Sequence, residues 1–182
     1  MKHPHMEIIT HPLSANSPLI YQWLDSNLGQ VLVGCSPLGI CWMAYVDVPS
    51  KGLEEFMGAF PGHTYQQKDL PYFTAIASWL VDPSSEIPAL PIHLMGTNFQ
   101  LKVWQALVGL NWGETTDYQT VAQSIGSPDS ARAVGTAIGK NPIAVLVPCH
   151  RVLRSDGSLG GYRWGIDRKI AWLRREGAPY LF

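Results

Sequence analysis

The 182-residue chain is 46% hydrophobic with a net charge of −1 and a mean hydropathy near zero, the composition of an ordinary globular protein of one large domain or two small ones. No apolar run approaches the roughly 20 residues of a membrane span, and residues 1–18 lack the apolar stretch of a secretory signal, so a cytoplasmic protein without membrane attachment is expected. Its three cysteines, Cys35, Cys41 and Cys149, are odd in number and far apart, which argues against a disulfide framework.

Charge is unevenly divided. Residues 1–95 hold 3 Lys/Arg against 8 Asp/Glu, and residues 96–182 hold 10 against 6. A basic C-terminal half suits a polyanionic partner, although uneven scatter of surface charge gives the same count.

In chain order, His3, His5 and His11 lie in a polar stretch that reads as a flexible tail rather than a metal site. Residues 30–48 contain two apolar runs joined by Ser36-Pro37-Leu38-Gly39, a β-hairpin signal. Cys35 and Cys41 sit inside it as small core residues. Residues 52–60 read as a short helix stopped by Pro61-Gly62, 71–80 as another, and 90–94 as a last strand. The proline-punctuated stretch 83–91 reads as a linker between two domains, 1–92 and 93–182.

From there the chain turns helical. Thr97 is a good N-cap for a helix with Phe99, Val103, Trp104 and Leu107 on one apolar face, and Asn111-Trp112-Gly113 ends it. Asp117 can cap a second helix over 118–125. Gly126-Ser127-Pro128 then turns the chain into a third, 129–139. Two short helices across a tight glycine-containing turn have the form of a helix-turn-helix. In the third helix Val134 and Ile138 can face a core. Its remaining surface is small (Ala131, Ala133, Gly135, Thr136) apart from one long cation, Arg132. Such a face lets the backbone approach a ligand, with Arg132 entering a DNA groove or base stack; tight packing against another helix explains it equally well. Ser155-Asp156-Gly157-Ser158 is a turn, of a small hairpin or wing. Residues 167–176 form the last helix, packing through Ile170, Trp172 and Leu173.

The chemistry concentrates in Val147-Pro148-Cys149-His150-Arg151-Val152. The apolar run 145–148 reads as a strand that delivers Cys149 to the edge of a pocket. A thiol is a weak nucleophile unless its thiolate is favoured. His150 can do that, directly or through water, and a carboxylate would orient the His. Glu176, near a helix C-terminus where an anion is disfavoured, is the candidate. A buried structural cysteine is the plain alternative.

Asn141-Pro142, Val147-Pro-Cys-His-Arg-Val152 and Gly161-Tyr-Arg-Trp-Gly165 resemble the O6-alkylguanine-DNA alkyltransferases, the methylated-DNA–protein-cysteine methyltransferases. Gly96-Thr97-x-Phe99-Gln100-x-x-Val103-Trp104 and Gly113-Glu114-Thr115-x-x-Tyr118 fit the same family. The motifs are collinear over residues 96–177, and the Tyr-Arg-Trp-Gly run is similar to the bacterial type; the N-terminal half resembles the family only loosely. The resemblance implies a two-domain α/β (α+β) fold. Its N-terminal part would be a small β-sheet with helices, RNase H-like, and its C-terminal part a mostly helical, winged helix-turn-helix-like domain.

The activity it implies is repair. A monomer without cofactor or metal binds duplex DNA in the minor groove and flips out an O6-alkylguanine. It moves the alkyl group irreversibly to its cysteine and acts once; O4-alkylthymine stays open as a second substrate. By resemblance, Cys149 is the acceptor, His150 takes its proton through a water, and Glu176 polarises His150. Asn141 is a hinge that ties the helix pair to the cysteine loop. Arg132 fills the vacated stack, and Ala131, Ala133, Gly135 and Thr136 face the groove. Tyr118 lies near the phosphate of the rotated nucleotide. Tyr162, Arg163, Trp164, Val147 and Pro148 line the guanine pocket.

Three departures follow. Asp117 stands where Ser is usual, adding negative charge near phosphate. Arg163 and Trp164 are bulkier than in mammalian members, which predicts a preference for small alkyl groups. Three cysteines cannot supply the four zinc-binding cysteines of the family's methylphosphotriester domain, so transcriptional regulation is not expected. A non-catalytic lesion binder is the alternative, but such relatives lack the cysteine. A cysteine hydrolase would leave the helix pair and Arg132 without a role.

Overall fold

The computed structural model describes residues 5–84 and 89–180, a mixed α/β structure that divides into two compact units between Met95 and Gly96. In the N-terminal unit, β1 (Met6–Ile9), β2 (Pro18–Ser26), β3 (Gly29–Ser36), β4 (Gly39–Tyr45), β5 (Thr64–Gln67) and β6 (Leu90–His93) form one sheet in the order β1-β6-β4-β3-β2-β5. The central strands β3 and β4 are buried almost end to end. Both of their faces are covered, so they read as continuous apolar runs rather than alternating ones. Ser36 pairs with Gly39, which closes the expected hairpin around Pro37-Leu38. The helices α1 (Pro49–Ala59) and α2 (Pro71–Val81) each carry proline in the first turn, where its missing N–H costs nothing.

Two expectations are corrected here. The N-terminal stretch is not a flexible tail over its described part: Met6–Ile9 pairs in parallel with Leu90–His93, and the His11 carbonyl lies 2.6 Å from His93 Nε2. His3 lies outside the described residues. A four-residue edge strand carries too little periodicity to announce itself, because its partner is more than 80 residues away in sequence. The stretch 83–91 is not a linker between domains either. It joins α2 to β6, which is paired with both β1 and β4 inside the N-terminal sheet; residues 85–88 of it lie outside the described residues.

The C-terminal unit is mostly helical: α3 (Asn98–Val108), α4 (Tyr118–Ser124), α5 (Ala131–Gly139) and α6 (Ile166–Glu176), with a short parallel pair, β7 (Thr116–Asp117) and β8 (Val152–Leu153). Thr97 caps α3 through a reciprocal box, Thr97 Oγ1 accepting from Gln100 N at 3.2 Å and Thr97 N donating to Gln100 Oε1 at 2.9 Å; both N-terminal donors are satisfied. Trp104 Nε1 donates to the Ala137 carbonyl at 2.9 Å, tying α3 to α5. Gly177, at φ 66°, ends α6 in the left-handed conformation that glycine accepts freely. No helix among the described residues is long and apolar enough to cross a membrane.

Candidate active site

The segment from Asn141 to Cys149 determines the site. Residues 143–147 are fully buried, but they do not form the expected strand. Leu146 N donates to the Ala144 carbonyl at 2.7 Å and Val147 N to the Ile143 carbonyl at 3.1 Å, so the run is coiled on itself. Val145 sits at φ 66°, a region that costs a β-branched residue about 1–3 kcal/mol and persists only where packing enforces it. Four apolar residues have the same periodicity in a strand and in a buried loop. Here the backbone groups are satisfied locally and by Asn141. The buried Asn141 side chain accepts from Ile143 N at 2.9 Å and donates through Nδ2 to the Val147 carbonyl at 2.8 Å and to Cys149 Sγ at 3.2 Å. One amide thus spans the loop and touches the sulfur.

Cys149 opens a short 3-10 turn, Cys149–Arg151, and is only 4% exposed. Burial pushes its thiol up to about 11, against the pull of the Asn141 hydrogen bond and of the Lys169 and Arg163 charges. The resting group is a thiol, so thiolate must be generated when it is used.

His150 Nε2 lies 2.8 Å from Glu176 Oε1, with both side chains fully buried. An ionised carboxylate only accepts, so Nε2 carries the hydrogen and Nδ1 holds the lone pair. Nδ1 is itself buried with no hydrogen-bond partner among the described residues, and no direct hydrogen bond joins it to Cys149. Burial lowers the imidazole below its ordinary value although Glu176 pulls the other way. The site therefore holds a neutral base with its basic nitrogen unengaged.

Two residues that sequence reasoning missed complete the arrangement. Arg151 donates from Nε to Glu176 Oε2 at 2.8 Å, from Nη2 to Oε1 at 2.9 Å, and from Nη1 to the Leu110 carbonyl at 2.8 Å. Gly113 N adds a longer bond to Oε2 at 3.3 Å. Gly113 is at φ 77°, and a Cβ there would lie 2.7 Å from the Glu176 carbonyl oxygen, so only glycine fits. Burial alone would raise Glu176, but the His150 and Arg151 hydrogen bonds bring it to about 2. Lys169 is fully buried, with Nζ donating to the carbonyls of Val152 (2.7 Å), Leu159 and Gly161 (3.3 Å). Burial lowers it to about 8. A signal for Lys169 was present. Positions 169, 172, 173 and 176 are the buried stripe of α6, and a Lys and a Glu on an apolar stripe mark buried charge.

The remaining candidates are distributed around this centre. Tyr118, half-buried at the start of α4, packs between Gly135 of α5 and Gly160: Cβ atoms at those glycines would lie 3.6 Å from its ring and 3.1 Å from its hydroxyl. Burial raises its phenol against the pull of Arg154, so it stays a donor. Arg132, Ala133 and Thr136 are exposed on α5, and Ala131 and Gly135 are half-buried. Tyr162 and Trp164 meet edge to face at 5.3 Å; Trp164 is buried. Arg163 is exposed, lies 5.5 Å over the Trp164 ring, and donates from Nη1 to the Asn141 carbonyl at 3.2 Å.

Residues 98–178 match the family model described as 6-O-methylguanine DNA methyltransferase, DNA binding domain. The chain is 39% identical over 163 residues to the bifunctional transcriptional activator/DNA repair enzyme Ada of Escherichia coli, covering 88% of this chain and 46% of that protein. It is 38% identical over 141 residues to the inducible methylated-DNA–protein-cysteine methyltransferase of Bacillus subtilis, covering 74% of this chain and 78% of that one. The chain spans about half the length of several curated relatives that it matches. Among solved structures it resembles the Mycobacterium tuberculosis OGT in complex with DNA, at 33% identity with a TM-score of 0.73, over 88% of this chain and 95% of that one.

Proposed function

The chain belongs to the methylated-DNA–protein-cysteine methyltransferase family, and we propose that it repairs O6-alkylguanine in duplex DNA by moving the alkyl group irreversibly to Cys149. The observation that carries this reading is a buried thiol on Asn141, beside a neutral His150 whose Nε2 is fixed by Glu176. A base must leave the stack to reach a sulfur so enclosed. The Cys149 proton passes through a water to His150 Nδ1. Sulfur then attacks the alkyl carbon, forming a C–S bond as the C–O6 bond breaks. The electron pair leaves with the guanine, which takes up a proton and departs as guanine. The thioether has no route back to thiol, so each molecule acts once.

In the same reading, α4, the turn at 126–128 and α5 are a helix-turn-helix of a winged C-terminal domain, 93–182, with the Arg154–Ser158 turn as its wing. Residues 1–92 form an RNase H-like supporting domain. Arg132 fills the vacated stack, and Ala131, Ala133, Gly135 and Thr136 lie against the groove. Tyr118 meets the phosphate of the rotated nucleotide. Tyr162, Arg163, Trp164, Val147 and Pro148 bound the base. The protein works as a cytoplasmic monomer with no cofactor. The bulk of Arg163 and Trp164 favours small alkyl groups, so O6-methylguanine should react faster than O6-benzylguanine; equal rates would remove that preference.

The decisive experiment is incubation with duplex DNA carrying radiolabelled O6-methylguanine, beside Cys149→Ala. One label per protein, lost in the variant, is the expected result. Binding without transfer would point instead to a lesion recogniser.

A further inference from the structure

We propose that Arg151 is a positioning residue that keeps His150 a neutral base in a single tautomer: its guanidinium fixes Glu176 as an anion that accepts from Nε2 without taking the proton, and offsets that anion's charge. This rests on the alkyl-transfer reading for its purpose, but its geometry is independent of it. Four groups with charge or a titratable proton surround the imidazole. Glu176 and Lys169 come from α6, and Arg151 and Cys149 flank it in the chain; the Trp172 ring, 5.9 Å away, contributes none.

A buried carboxylate paired with a histidine alone would draw the imidazole toward its charged form, because opposite charges attract strongly in a low-dielectric interior. That would convert a proton acceptor into an imidazolium and leave the thiol without a base. Arg151 prevents it. Nε and Nη2 occupy both oxygens of Glu176 at 2.8 and 2.9 Å, a bidentate geometry that lysine cannot reproduce. Gly113 N takes a further share of Oε2. The carboxylate is thus saturated with donors and remains ionised. Arg151 also acts on His150 directly, in the direction that disfavours its protonation. Nδ1, the one nitrogen with no hydrogen-bond partner among the described residues, is left as the sole basic site.

The test is a titration of His150 by NMR in the histidine-labelled, DNA-free chain, with His150→Gln to assign the signal. In the unsubstituted protein the midpoint should lie below the ordinary histidine value. Arg151→Met should raise it by at least one pH unit, equivalent to about tenfold more imidazolium at a given pH above the midpoint, and Arg151→Lys should recover part of the shift. An unchanged or lower midpoint in folded Arg151→Met would overturn the proposal.

Should Arg151→Met not fold, Arg151→Lys carries the test, since it keeps the cation and loses the fork: its midpoint should lie above the unsubstituted value. An unchanged or lower midpoint in Arg151→Lys would refute the role of the fork. In the transfer assay, Arg151→Met should fall to about half its plateau rate at its raised midpoint and regain rate as pH climbs above it, a pH-dependent rescue that a purely structural defect would not give. The titrations need no substrate. Failure of the unsubstituted chain to accept label would end the repair reading and leave the Arg151 result standing.

Discussion

At the scale of single residues, the site joins a thiol pushed up to about 11 to a neutral histidine. At pH 7.5 such a thiol is ionised to only a few parts in ten thousand, against roughly 3% for a thiol at the ordinary value of 9.0. A small alkylating reagent that cannot exploit the His150 base should therefore modify Cys149 about one-hundredth as fast as an unfolded cysteine. Mass-spectrometric timing of iodoacetamide labelling measures this; labelling at the unfolded rate would mean that the resting site already holds thiolate. Asn141 offers a second measurement. Asn141→Ala removes the partner of Ile143 N, of the Val147 carbonyl and of Cys149 Sγ at once. Leaving a buried polar group unpaired costs about 1–3 kcal/mol, and Val145 is held at φ 66° by the same loop. Urea unfolding should show a loss of at least about 2 kcal/mol. Alkyl transfer should fall further than stability alone explains, since the sulfur also loses its donor.

Among the elements, α4 gives a sharp test of how capping and binding trade against each other. Asp117 Oδ1 accepts from Gln119 N at 2.8 Å and Thr120 N at 2.9 Å, and Oδ2 from Thr120 Oγ1 at 2.8 Å, so the expected cap is made. These bonds hold its carboxyl below the usual range, and it stays ionised at the N-terminus of a helix proposed to meet DNA. Asp117→Ala should cost about 1 kcal/mol of stability through the lost cap. Asp117→Ser should retain most of the cap and bind duplex DNA more tightly at low salt, the gain fading as salt screens the removed charge. Equal binding by Asp117→Ser and the unsubstituted chain would show that this carboxylate does not face phosphate. Caps such as Thr97 and Asp117, and the hairpin at Ser36–Gly39, were legible in the sequence because each is decided by residues a few positions apart. The β1 strand, the coil at 143–147 and the Arg151 fork were not. The partners of β1 and of Arg151 lie far along the chain, and although the coil is closed locally, an apolar run such as residues 145–147 looks alike whether a neighbouring strand or a single asparagine satisfies its backbone.

For the whole molecule, buried charge should make stability respond to pH in a way that isolates Lys169. Folding lowers this ammonium from 10.5 to about 8. Its folded value is depressed, so below about pH 8 both folded and unfolded chains carry the proton and burial exacts a constant penalty. Between about 8 and 10.5 the folded chain releases the proton while the unfolded chain keeps it, and stability from this group rises with pH. The thiols act in the opposite sense. Cys149, Cys35 and Cys41 are all raised in the fold, so each loses stability as pH climbs past its unfolded value of about 9, and the total profile can look flat. Comparison with Lys169→Met removes that ambiguity: Cys35 and Cys41 are common to both chains, and Cys149, already raised to about 11 beside Lys169, keeps its proton in both folded chains up to about pH 10. Met lacks the donors for the carbonyls of Val152, Leu159 and Gly161, which shifts its stability by an amount independent of pH. On top of that offset, the unsubstituted chain should gain about 1 kcal/mol per pH unit relative to the variant from pH 8 to 10. Urea unfolding under reducing conditions at pH 7, 8, 9 and 10 measures the difference. Parallel curves would mean that Lys169 titrates at its ordinary value and that its buried charge is already neutralised by a group other than the three carbonyls.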